Sequence, residues 1–131
     1  QIPEEFQELQ KAMQELGYEL IVPRFPEGFE AGKPTLDYFA DEDTLKFSIM
    51  YQRDNDYYIF SVHWDNNNVV NRYEKSDTLV GTEVYNSTEH YYLENNGNNT
   101  VAWYINTIEC SIVTNKTISD LREIIELMYN K

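Results

Sequence analysis

Few side chains in this 131-residue chain have chemical reach: two histidines, His63 and His90, and a single cysteine, Cys110, among 23 acidic groups. Nucleophilic hydrolysis needs a serine or thiol on a strained turn or helix start with a base beside it. No G-x-S-x-G occurs, and the glycines stand singly, which leaves no phosphate-cradling loop either. In "IECSIV", residues Ile108, Cys110 and Ile112 share one face of a strand, so Cys110 reads as a small buried hydrophobe. A lone cysteine also excludes an internal disulfide and a multi-cysteine zinc site. The acidic stretches "DEDTLK", "RDND" and "DNNN" offer hard oxygen ligands, but none follows the calcium-loop pattern D-x-[DN]-x-[DN]-G with a closing glutamate. They read as solvated turns, and no metal or cofactor is expected. A glycosidase-type carboxylate pair stays open, because spacing in sequence does not give separation in space.

The aromatic content is the unusual quantity, with 11 Tyr and 6 Phe. The doublets Tyr57-Tyr58 and Tyr91-Tyr92 must put one ring on each face of a strand, since successive strand side chains point to opposite faces. Tyrosines on the face away from any helices either cover the sheet and pair across strands or form a ligand platform. Tyr57, Tyr92 and His63, the last on the face opposite Trp64, are the candidate ligand or partner surface. His90 borders a strand with no acidic motif around it.

A net charge of -13 repels phosphate backbones and anionic headgroups, so nucleic acid is not an expected partner; solubility is the simplest reading of this acidic balance. No apolar run approaches the ~20 residues of a membrane span. "QIPEEFQELQ" has neither the basic start nor the apolar core of a signal peptide. If the protein is exported, its signal or anchor lies outside this sequence.

The elements that must position these residues form one domain over 1–131. In "IPEEFQELQKAMQELG" the residues Ile2, Phe6, Leu9, Met13 and Leu16 recur at helical spacing and Gly17 supplies the stop, which predicts a helix over 1–17. A brief strand is predicted over 18–22, followed by turns at Pro23, Pro26, Gly28, Gly32 and Pro34. The region 18–116 is mainly antiparallel strands. "TLKFSIMYQ" alternates Leu45, Phe47, Ile49 and Tyr51 with polar residues, "YYIFSVHW" carries Tyr58, Phe60, Val62 and Trp64 on one face, and "RDND" turns between them. "DNNNVVN" ends that strand, and "TEVYN", "HYYLEN" and "TVAWYIN" follow as strands, with "NNGNN" a turn before the last. Over 117–130 Thr117 or Ser119 can cap a helix whose Leu121, Ile124, Ile125 and Met128 form one stripe. The order predicts an α+β fold: an antiparallel sheet of about six or seven strands with the N- and C-terminal helices packed on one face.

Three stretches together carry a resemblance. The "VPRFPEGF" segment, the "FSIMYQRDNDYYIFSV" hairpin and the closing "AWYINTIECSIVTNKTISDLREIIELMY" resemble the bacterial domain of unknown function 4367, with its "lP-GY" segment before the sheet and its closing "W..n...y.l.....s.eel..i" pattern. The likeness covers most of the chain after Tyr18; the asparagine-rich "NNNVVNRYEK" and NNGNN loops depart from it. It implies a non-catalytic extracytoplasmic domain of Gram-positive bacteria, often carried behind a membrane anchor or an anti-sigma-like segment, and it brings no catalytic residues. The function expected is a binding or sensory module at the cell surface, taking a protein, peptide or cell-envelope ligand, with the parent protein membrane-anchored. The alternative is a carboxylate-dependent enzyme acting on carbohydrate or peptide, which requires a cleft holding two acids of displaced pKa.

Overall fold

The computed structural model describes residues 2–65 and 77–130. A 3-10 turn at Glu4–Phe6 leads into helix α1 (Gln7–Glu15), whose Leu9, Ala12 and Met13 are buried. Then come β1 (Glu30–Ala31), β2 (Thr35–Phe39), a 3-10 turn at Ala40–Glu42, β3 (Thr44–Arg53), β4 (Asp56–Asp65), β5 (Thr78–Tyr85), β6 (Thr88–Asn95), β7 (Asn98–Ile105), β8 (Ile108–Thr114) and helix α2 (Ile118–Tyr129). The fold is α+β, and the sheet has eight strands. The count exceeds the expected six or seven because the Pro/Gly-rich stretch after Val22 contains β1 and β2, which pair with successive parts of the β3 edge. Conversely, the strand expected over 18–22 joins no ladder. The "NNNVVNRYEK" connection lies outside the described residues.

From that edge the order runs β3-β4-β8-β7-β6-β5, every pairing antiparallel. After β4 the chain reaches the far edge and returns as a meander, so that β8 seats beside β4 at the centre. Four hairpins with two-residue loops set the registers: Asp54-Asn55, Asn86-Ser87, Asn96-Gly97 and Asn106-Thr107. The first residue of each loop has positive φ, between 46° and 54°. Only glycine and, among side-chain-bearing residues, asparagine and aspartate tolerate that conformation readily. At Asn86-Ser87 and Asn96-Gly97 both loop residues are positive, the type I′ pattern whose twist matches the strands. Much of the asparagine richness in the described hairpins therefore has a backbone cause.

Both helices pack on one face. Leu45, Phe47, Ile49 and Tyr51 of β3, Tyr58, Phe60 and Val62 of β4, Ile108, Cys110 and Ile112 of β8, and Val101 and Trp103 of β7 meet Phe6, Leu9 and Met13 below and Leu121, Ile124, Ile125 and Met128 of α2. Phe6 stands edge-on to Phe60 with centroids 5.8 Å apart, and Phe60 stacks on Trp103 at 6.3 Å. The Tyr51 hydroxyl donates to Glu5 Oε2 at 2.6 Å and ties the first turn to β3. Cys110 is buried, and that burial, with Glu109 beside it, pushes its thiol up to about 12. Helix α2 begins in a capping box: the Asp120 amide donates to Thr117 Oγ1, and the Thr117 amide and hydroxyl donate to Asp120 Oδ2.

Candidate functional site

On a strand of alternating inward and outward residues, whatever the core does not take faces the other side. Strand register sorts the outer face into parallel rows. Thr35, Ser48, Ser61, Ser111 and Ala102 stand opposite one another across β2, β3, β4, β8 and β7. Every member is small, and the row forms a trough that is open at Thr35 and Ser48 while Ser61, Ser111 and Ala102 are buried. One flanking row is mainly apolar: Met50, Ile59, Val113 and Leu93, with Thr100 between the last two. The other is charged: Asp37, Lys46, His63, Glu109 and Tyr104. Asp37 and Lys46 stand opposite each other in it, an opposite-charge cross-strand pair.

Towards the β2 side the trough opens into a groove of about 530 Å³, lined by Thr35, Asp37, Lys46, Ser48, Ile59, Ser61 and His63. That is the volume of a small-ligand site. Thr35 already donates to the Ser48 carbonyl at 3.4 Å. Lys46 is an exposed cation, Asp37 an exposed acceptor, and Ile59 gives one apolar wall. Deeper in, Glu109 and Ser111 are almost fully buried; Tyr104 donates to Glu109 Oε2 at 2.7 Å, whereas Ser111 Oγ has no hydrogen-bond partner among the described residues. The arrangement supplies donors, acceptors and an apolar wall, on β3 and β4 with paired neighbours on both sides and on the edge strand β2.

Of the residues expected to form the surface, Tyr57 and His63 are on this face, at opposite ends of β4. His63 lines the groove. Tyr57 lies away from it, where its hydroxyl donates to Asn98 Oδ1 across β8 and its backbone amide to Asn115 Oδ1 at 3.1 Å. Tyr92 corrects the expectation: it is fully buried on the helix side, under the Arg122 guanidinium at 5.2 Å from its ring, and its doublet partner Tyr91 takes the outer face. The reason is register. The Asn96-Gly97 loop puts Tyr92 opposite Val101, a core residue, so its ring follows Val101 inward. Tyr91 instead donates to Glu89 Oε1 at 2.7 Å, and that hydrogen bond raises its phenol above the ordinary value.

His90 was not expected in the core. It shares the inward face with Tyr92, is fully buried, stacks on Trp103 at 5.1 Å and meets Tyr85 and Tyr129 edge-on. Its Nδ1 lies 3.0 Å from the Thr88 carbonyl, so the proton belongs there, and Nε2 accepts from the Tyr129 hydroxyl at 3.0 Å. Burial holds the imidazole below its ordinary pKa against the pull of Thr88 and Glu83. The i, i+2 spacing to Tyr92 was the available signal.

Among the described residues no three His, Cys, Asp or Glu side chains converge as metal ligands, and no helix is long and apolar enough to cross a membrane. No curated protein and no solved structure matches the chain. The family model described as Domain of unknown function (DUF4367) matches residues 19–128, from the segment after α1 through nearly all of α2, and the chain belongs to that family.

Proposed function

We propose that the protein is a non-catalytic binding or sensory module at the cell surface of a Gram-positive bacterium, and that the outer sheet face is its recognition surface. The observation that supports this reading is the sorting of that face into a small-residue row between a mainly apolar row and a polar one, built on central strands. Rigid strands hold such a surface in its binding geometry before the ligand arrives, so little ordering entropy is lost on binding. The ligand is a peptide, a protein loop or a cell-envelope fragment that brings a polar edge to Ser48 and Ser61, and an apolar group to Ile59.

Titration of isotope-labelled protein with soluble cell-wall fragments and with envelope-derived peptides tests it. Shifts should concentrate on β3, β4 and β8, and Ser61→Trp, which fills the trough, should abolish them while the fold is retained. Ligand shifts confined to the helix side would overturn the assignment of the surface. Protease treatment of intact cells against lysed cells tests the location; protection until lysis would overturn it.

A further inference from the structure

On the helix side, residues 19–22 have the burial pattern of a strand but no strand partner. Leu20 is buried in the core and Val22 packs against it, while Glu19 and Ile21 are exposed. Among the described residues, none of their backbone groups joins a ladder or makes a backbone hydrogen bond. Pro23 has no N–H and ends the run. This is the stretch where β-propensity predicts a strand, so sequence and structure disagree at a specific place.

Between this segment and α1 runs a groove of about 1070 Å³, with Ile21 and Met128 as apolar contacts and Gln7, Gln10 and Gln14 along the helix wall. Three or four residues apart, the glutamines share a helix face and offer amide donors and acceptors at spacings that suit an extended backbone. Its cations are Lys11 and Arg24. Lys11 is in a solvent-exposed pair with Glu8 at 3.8 Å, which holds it weakly, and Arg24 makes no ion pair among the described residues. The groove lining carries two cations, Lys11 and Arg24, against one acid, Glu19, so it is locally cationic and favours a short anionic segment, whereas a second copy meets the repulsion of two chains of net charge -13.

We propose that residues 19–22 are a strand-addition site that takes an extended acidic peptide, its backbone pairing with this segment and its carboxylates meeting Lys11 and Arg24. Unpaired strand backbone is a ready template for such pairing, with main-chain hydrogen bonds giving affinity and alternate side chains giving specificity. The site is separate from the sheet face proposed above.

The probe is a short dye-labelled peptide alternating valine and glutamate, followed by fluorescence anisotropy at low salt and by amide hydrogen exchange. Binding at least about tenfold tighter than the valine–lysine counterpart is expected, with new exchange protection at alternate amides of the 19–22 segment. Methylating alternate backbone amides of the peptide should abolish binding, and Arg24→Glu should weaken it about tenfold. Ser61→Trp should leave it unchanged, which separates this site from the outer face. No binding, equal binding of the lysine or methylated peptide, or protection that reports a dimer of the protein would each overturn the proposal.

Discussion

The two faces of β3, β4, β7 and β8 are made from the same strands but carry opposite chemistry. Inward stand Phe47, Tyr51, Tyr58, Phe60 and Trp103, interlocked with Phe6 and Phe25 at centroid distances of 4.3–6.4 Å. Outward stand Ser48, Ser61, Ser111 and Ala102. Aromatic abundance therefore belongs mostly to the core, and the centre of the opposite face is marked by small residues. A composition rich in tyrosine points to neither face by itself; register decides.

The largest effect should come from breaking the inner face. Ile124 is buried under the sheet, and Ile124→Ala should cost about 2–5 kcal/mol, as large-to-small core changes do. Urea midpoints read it, and the emission of Trp103, also buried in that core, should move towards exposed indole as the fold loosens. A near-neutral result would mean that α2 is not docked.

A smaller effect should follow pH, through His90. Its folded pKa lies below the ordinary 6.5, so the unfolded chain binds the extra proton first as pH falls. Its contribution is complete above about pH 6.5 and is lost on acidification towards the folded pKa, each unit of depression being worth about 1.4 kcal/mol. Melting temperatures measured from neutral pH down to the mildly acid range should decline, and His90→Phe should flatten that decline. An identical slope in the variant would remove His90 as the cause.

The α2 cap comes next. Thr117→Ala removes the acceptor for the Asp120 amide and should cost about 1 kcal/mol in denaturant midpoint. Partial burial pushes the Asp120 carboxyl up, but the hydrogen bonds from Thr117 and the nearby Lys116 outweigh it and leave the pKa lowered. That contribution is present above the unfolded carboxylate pKa and lost as pH falls through the folded one, so the cost of Thr117→Ala should shrink in strong acid.

How far these features could be read from sequence depends on which physical signal each one leaves. Helix α2, its Thr117 cap, buried Cys110 and the β3–β4 hairpin are local patterns, and local patterns survive in one chain. β1 and β2 leave a weak one: they lie among prolines and glycines and exist because the β3 edge recruits them. Residues 19–22 leave the opposite signal, strand propensity without a partner to satisfy it. The outer trough is invisible until strands are aligned, because Ser48 and Ser61 face each other within the β3–β4 hairpin but distant Ser111 joins them only through β4–β8 pairing. Tyr92 was in principle recoverable. Counting outward from a two-residue Asn96-Gly97 loop puts it opposite Val101, and Val101 shares its face with Trp103.

The smallest effects should lie on the outer face, and the doublet Tyr57-Tyr58 gives the sharpest contrast. Tyr58 is fully buried against Phe25 and Phe29, and its hydroxyl has no hydrogen-bond partner among the described residues; burial, with Asp120, Asp56 and Glu123 around it, pushes the phenol up to about 12. Tyr58→Phe should therefore be neutral or slightly stabilising, since it removes a buried unpaired polar atom while keeping the ring. Tyr57 is half-buried, and its hydroxyl bonds Asn98 in an exposed setting where water can replace either partner. Tyr57→Ala should stay within about 1 kcal/mol of the parent in urea midpoint, and under the proposed function it should weaken ligand binding more than it weakens the fold. A loss comparable to that of Ile124→Ala would make the outer tyrosine a structural strut. The division between a packing face and a recognition face would then fail at the β4–β8 seam, where the Tyr57 amide and carbonyl are held by Asn115 and Thr114.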